Sequence, residues 1–238
     1  MTKSFKHIFL LLVACCLAQL TLAQEPARND WDGPKIKGAR IIPFPSYNGS
    51  PYLTENWLPG KIELTTGEII DSLHIRYSSY KDELFYYNSE AACQINIDKA
   101  TLNGFEFTDI DGRDRIFRKL FFESYTKTYR FFEILSSGSI SIVAHRKTGL
   151  NTTTAYHDKS GILKNMEYVP EHQLYFYSKE QGYSNVKPNT ASFLSKFEKS
   201  SQKPIKRLLR KNRIKIKTEN ELIQAWEMIS KEGYKPLF

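Results

Sequence analysis

Between Trp57 and Tyr87 the chain alternates between apolar and polar positions with a period of two. Ile62 and Leu64 fall on one face of an extended run, and Lys61 and Glu63 on the other. Thr65-Thr66-Gly67 supplies a short loop in which glycine accepts positive φ without steric cost. In the return run Ile69, Leu73, Ile75 and Tyr77 share a face, while Ser72, His74 and Arg76 point away. That is the pattern of a half-buried antiparallel strand. After SSYKD the segment LFYY opens another strand. Phe105–Phe107 and Ile116–Glu123 flank a turn at DIDGRD, and Tyr125–Leu135 and Ile140–Arg146 flank Ser-Ser-Gly-Ser. The last pair reads most clearly as a hairpin. Residues 148–165 are polar and read as a long loop or a solvent-facing excursion. Met166–Val169 and Leu174–Tyr177 add two further short strands.

Near Pro188 the period changes to that of helices. Asn189-Thr190 caps a helix carrying Phe193, Leu194 and Phe197. Pro204 suits a first helical position, with Ile205, Leu208 and Leu209 on one face. Arg213–Lys217 alternates and reads as an extended link. Thr218-Glu219-Asn220-Glu221 is a capping-box pattern, followed by Leu222, Ala225, Trp226 and Ile229 at i, i+3, i+4, i+7, with Gly233 as the stop. Strands first and helices last make an α+β chain: an antiparallel β meander, as a curved sheet, sandwich or partly closed barrel, with a C-terminal helical segment.

The N-terminus is of another kind. Lys3 and Lys6 precede an apolar run from Ile8 to Leu22, and Thr21-Leu22-Ala23 offers small residues before polar QEPARND. This is the pattern of an export signal over residues 1–23, and the run is short for a membrane anchor. Leu12-Val13-Ala14-Cys15 resembles a bacterial lipobox and gives a competing route, lipidation at Cys15, although the segment after it stays apolar. Cleavage after Ala23 leaves Cys93 as the one thiol, which reads as a small buried hydrophobe. Residues 24–46 form an extended arm that Trp31 and Ile41-Ile42 pin to the body. Residues 47–187 form the β-rich part and 188–238 the basic helical part.

Charge sharpens the picture. The 238-residue chain carries a formal +8. Residues 196–217 alone hold ten Lys or Arg against the single acid Glu198, which accounts for the whole excess. Lys206, Arg207, Arg210 and Lys211 lie off the apolar face of the Pro204 helix, and Arg213, Lys215 and Lys217 lie opposite Ile214 and Ile216. These seven are the candidate site for an anionic envelope component, a membrane surface by peripheral contact, or an acidic protein. The bland alternative is a solvated face. Export argues against nucleic acid as the partner.

Candidate chemistry is thin. Ser78-x-x-Lys81, Lys147-Thr148-Gly149 and Tyr183-Ser184-Asn185 resemble the elements of penicillin-binding proteins, but Ser78 falls between strands rather than at a helix start, and the order is wrong. DIDGRD lacks the EF-hand spacing and carries arginines, so a hairpin turn is expected. His74, His145, His157 and His172 form no ligand-spaced pair. No phosphate-cradling glycine loop occurs, so no metal or cofactor is expected. Asn48, Asn151 and Ser72 sit in short glycosylation-like patterns.

Gly49-Ser50-Pro51-Tyr52-Leu53, Trp57, Pro59-Gly60, Gly67-Glu68, Arg76-Tyr77, Asp82-Glu83-Leu84, Phe131–Leu135 and the tail PIKRLLRKNRIKIKTENELIQ give the chain an outline over most of residues 47–229. That outline resembles exported β-rich proteins of Bacteroidota-type Gram-negative bacteria, a group with no assigned activity. The resemblance implies a periplasmic or outer-envelope setting and carries no catalytic residue. The expectation is a non-catalytic envelope scaffold with a basic tail. The alternatives are a glycan or peptide hydrolase using carboxylates such as Glu83, Asp109 or Glu123, and a small-ligand binder with an aromatic-lined cavity.

Overall fold

The alternating runs join into one sheet that winds around a stack of aromatic rings. The computed structural model describes residues 36–123, 127–161 and 163–238. The expected export signal, Cys15, Trp31 and Tyr125 lie outside them. The strands are β1 (Gly38–Arg40), β2 (Leu58–Leu64), β3 (Ile69–Ser78), β4 (Glu83–Asn88), β5 (Cys93–Ile97), β6 (Leu102–Thr108), β7 (Asp114–Phe122) and β8 (Thr128–Ile134). They continue with β9 (Ser141–His145), β10 (Thr148–Asn151), β11 (Tyr156–His157), β12 (Leu163–Lys164), β13 (Glu167–Pro170), β14 (Gln173–Ser178) and β15 (Gly182–Val186). Among the described residues eleven strands form an antiparallel sheet in the order β1-β5-β4-β3-β2-β6-β7-β8-β9-β14-β15. The polar excursion at 148–165 is itself pleated: β10 pairs with β13, and β11 with β12.

The sheet curves strongly without closing into a barrel. Strands β3 and β8 stand four steps apart in sheet order. A flat sheet would separate them by about 19 Å. Yet the rings of Tyr77 on β3 and Phe131 on β8 meet edge to face at 6.1 Å. Between them Phe105 and Phe117 stack at 4.5 Å from the paired strands β6 and β7. These four side chains are fully buried. Curling therefore gives each ring a neighbour on the far side of the bend, and the buried aromatic area holds the bend in place.

One expectation fails at β3. Ile69 was placed on the inward face with Leu73, Ile75 and Tyr77, yet it is 60% exposed. Pairing between β2 and β3 passes from Gly60↔Leu73 to Ile62↔Ile70, so two residues of β3 oppose one of β2. Ser72 takes φ 61° at this bulge. The inserted residue inverts the phase of everything before it. In the arm, Ile41 is half-buried and its N–H donates to the Gln94 carbonyl, but Ile42 is 90% exposed and pins nothing.

The helices α1 (Thr190–Leu194), α2 (Lys199–Lys211) and α3 (Glu219–Lys231) cover the β9-β14-β15 end of the face that carries the aromatic stack. Phe176 of β14 is the hub, with Phe193, Phe197 and Trp226 rings 6.0, 6.3 and 5.0 Å away. The helix at Pro204 starts five residues earlier than expected, at Lys199, because KSSQ carries no apolar period to announce it; Pro204 lies inside. The expected capping box at Thr218 and Glu221 is formed, and Leu222, Ala225, Trp226 and Ile229 are buried. Among the described residues no helix is long and apolar enough to cross a membrane.

Asp82, in the β3–β4 turn, latches the curl. Its side chain accepts from the Tyr77 hydroxyl at 2.7 Å and from the Phe131 N–H at 3.2 Å, and pairs with Lys99. It is buried and holds φ 59°, a conformation that Asp and Asn tolerate best after glycine. Asp82→Ala would strand two buried donors and the lysine, so a loss of about 3–5 kcal/mol is expected, with Asp82→Asn losing less. Urea unfolding checks this order; an Asp82→Ala variant as stable as wild type would contradict it.

Candidate functional site

The basic stripe on α2 follows from helix geometry. At 100° per residue Lys199, Lys203, Lys206, Arg207, Arg210 and Lys211 fall within an arc of about 140°. Ile205, Leu208 and Leu209 fall on the opposite side, against the sheet-facing core. After α2, Ile216 is buried and Ile214 half-buried, whereas Arg213, Lys215 and Lys217 are exposed. All seven expected site residues, Lys206, Arg207, Arg210, Lys211, Arg213, Lys215 and Lys217, are therefore exposed. None of them forms a salt bridge among the described residues. Leu237 and Phe238 are exposed, and the Leu237 N–H donates to the Lys196 carbonyl, three residues before α2, at 2.6 Å.

The two long helices end in the same hydrogen-bond motif with different residues. At the end of α3, Tyr234 N–H reaches back to the Ile229 carbonyl while Gly233 holds φ 82°. At the end of α2, Ile214 N–H reaches back to the Leu209 carbonyl while Arg213 holds φ 57°. The left-handed residue of this motif is usually glycine. An arginine there costs roughly 1–2 kcal/mol of backbone strain.

A chain of buried ions lies on the same face as the aromatic stack and the helix-covered core, at the seam between them. Glu133 on β8 receives both Nε and Nη2 of Arg115 on β7, at 2.8 and 2.7 Å. It also receives Nε of Arg146, just after β9. The two Nη atoms of Arg146 then grip the Glu219 carboxylate at 2.8 and 2.7 Å, at the first turn of α3. Burial alone would raise the Glu133 pKa, but hydrogen bonds from Arg115 and the charges of Arg146 and Arg115 outweigh it and hold the carboxyl low. Nothing in residue type or spacing marked these four as partners.

A second grouping, also missed, centres on Arg76. Its guanidinium lies 3.7 Å from the Tyr52 ring centre and 4.4 Å from that of Trp57. Its Nη2 donates to the Gln94 side chain at 3.1 Å, and its buried Nε has no acceptor. Burial pulls its pKa down, and among the described residues no carboxylate forms a salt bridge with it. It borders a hollow of about 350 Å³ that Phe44, Tyr47, Tyr52 and Tyr168 also line.

The carboxylates offered for hydrolysis do not converge. Asp109 precedes β7 and Glu123 follows it, so a nine-residue strand of about 30 Å stands between them. Asp109 accepts the N–H groups of Asp111 and Arg113 within its own turn, as a hairpin turn requires. Glu123 pairs with Lys127 at 3.0 Å. Glu83 begins β4, in another part of the sheet. The S-x-x-K and K-T-G elements do meet, but as a buried hydroxyl pair, Ser79 to Thr148 at 2.7 Å. Ser78 is bound to the Pro51 carbonyl, Lys81 lies over the Tyr80 ring, and Lys147 pairs with Glu171. This is a packed seam with no activated nucleophile. Among the described residues no three His, Cys, Asp or Glu side chains are grouped to hold a metal. Cys93 is free and buried. Comparison with protein-family models, with curated proteins and with solved structures finds no match.

His145 turns its ring to the opposite face of the sheet, 5.4 Å from Phe132 and 6.2 Å from Phe122. Burial among these rings lowers its pKa to about 4. The unfolded chain takes up this proton near pH 6.5 and the folded protein only near 4, so stability falls as pH drops through that window. The expected loss is about 3 kcal/mol at the lower end. Glu133, held low, adds a further loss only below the ordinary carboxylate range. Unfolding measured from pH 7 to 4 should slope accordingly in wild type and less steeply in His145→Leu, where His172, also lowered by burial, still contributes; equal slopes would contradict the assignment.

Proposed function

We propose that this is a non-catalytic, exported envelope protein that docks on an anionic membrane surface through α2 and the link that follows it. The observation that carries the proposal is the set of seven exposed cations that form no salt bridge among the described residues, on an element whose apolar side is already committed to the sheet. Each Lys or Arg beside an anionic surface contributes about 1 kcal/mol, so a stripe of this size suffices for salt-sensitive peripheral binding. The strained Arg213 supports the reading from another side, because a charge is kept where glycine would be the more stable residue.

The protein is expected to sediment with vesicles of phosphatidylcholine and phosphatidylglycerol, to ignore phosphatidylcholine alone, and to be released as salt rises. Reversal of Arg207, Arg210, Lys211 and Arg213 to Glu should abolish sedimentation, and release the protein from envelope fractions of its own cell, with little change in the unfolding midpoint. Undiminished binding by the folded variant overturns the proposal. Arg213→Gly separates stability from function: it should gain about 1 kcal/mol in stability while binding the anionic vesicles less well. A variant that gains stability and binds equally well would show that the charge at this position has no docking role.

A further inference from the structure

The charge on α2 is arranged in a way that solubility alone does not call for. The helix holds Lys199, Lys203, Lys206, Arg207, Arg210 and Lys211 and no acid. Lys199 with Lys203, Lys203 with Arg207, Lys206 with Arg210 and Arg207 with Lys211 are spaced i, i+4, so like charges stand one turn apart. Such pairs destabilise a helix, whereas an interleaved Glu would stabilise it. The first turn adds to the cost. It carries Lys199 and no acid, where the helix dipole favours a negative group, while α3 opens with Glu219 and Glu221. All six cations are exposed, and none forms a salt bridge among the described residues.

This pairing favours one kind of phosphate. An arginine fork grips two phosphate oxygens at once. A phosphodiester headgroup has two non-bridging oxygens and a single negative charge, and one fork occupies both oxygens. A phosphomonoester has three terminal oxygens, and its charge approaches about −2 once the second proton, with a pKa of about 6, has left. Both arginines of α2 have a further cation one turn back, Lys203 before Arg207 and Lys206 before Arg210. Cβ atoms so spaced lie about 5–6 Å apart, which lets two long side chains meet on one phosphate group. We infer that α2 recognises phosphomonoester lipid headgroups in preference to phosphodiester lipids of equal surface charge, each headgroup held by one arginine fork and the cation one turn before it. This rests on the membrane docking proposed for the same face.

Vesicles of phosphatidylcholine with phosphatidic acid, a phosphomonoester, would be compared with vesicles of phosphatidylcholine with phosphatidylglycerol, a phosphodiester, both adjusted to the same surface potential. Near pH 8 the protein should bind the phosphatidic acid vesicles about five-fold or more tightly. At about pH 5.5, where most of the phosphomonoester has regained its second proton, the ratio of affinities should fall towards one. The double change Arg207→Lys and Arg210→Lys keeps every charge and removes both forks. It should bind phosphatidylglycerol vesicles as wild type does and lose the preference for phosphatidic acid, with an unchanged unfolding midpoint, since both positions are exposed. Binding to neither kind of vesicle overturns the docking reading and this inference with it. Equal binding to both kinds near pH 8, a ratio indifferent to pH, or a preference that survives the exchange of arginine for lysine overturns the inference alone and leaves the docking reading standing.

Discussion

One buried guanidinium decides how the helices sit on the sheet. Arg146 gives its Nε to Glu133 of β8 and both Nη atoms to Glu219 of α3, and little of its side chain remains exposed. Desolvating such a group is costly, and only nearly complete pairing offsets the cost. Partial docking of the helices would leave Arg146 short of a partner, in a place where water reaches poorly. Apolar packing around Phe176 supplies most of the attraction, but greasy contacts alone tolerate sliding. The planar, bidentate grip of Arg146 on Glu219 does not.

The orientation it sets has consequences at the surface. With α3 anchored at its first turn and α2 packed through Ile205 and Leu209, the opposite side of α2 can only face outward. The cations gather there because every inward position of the segment is already apolar. At the other end of the sheet the same economy leaves Arg76 in a different state. It is held by the rings of Tyr52 and Trp57, the Gln94 amide oxygen and the Glu55 main-chain carbonyl, with the Glu55 charge acting on it from nearby. One molecule thus presents two positive features of unlike character: a broad, exposed stripe on α2 and the link after it, and a single half-buried guanidinium among aromatic rings.

Much of the framework was legible wherever the determinants were local. The capping box at Thr218 and the apolar spacing from Leu222 to Ile229 define α3 within a dozen residues. The hairpin around Ser136–Ser139 needed only two alternating runs and a turn. The outward placement of the seven cations followed from periodicity alone. What escaped notice was set by distant parts of the chain or by a single irregular residue. The bulge at Ser72 moves Ile69 to the outside, and no residue type announces a bulge there. Strands β5, β10, β11, β12 and β15 are short, and β11 and β12 are too polar to show a period. Arg115, Glu133, Arg146 and Glu219 lie far apart in sequence and meet only because the sheet curls and the helices fold back. Arg76 looked like an outward-facing polar residue of a strand, and it is one; its meaning comes from Tyr52, Trp57 and Gln94, which other segments bring around it.

A double-mutant cycle across the join between sheet and helices addresses this arrangement most directly. Arg146→Met, Glu219→Gln and the pair together would be compared by urea unfolding. If Arg146 fixes the helical layer to the sheet, the two changes should be strongly non-additive, with a coupling above about 1.5 kcal/mol. Additive losses would mean that the guanidinium and the helix carboxylate act independently, and that the outward display of the basic stripe rests on something else.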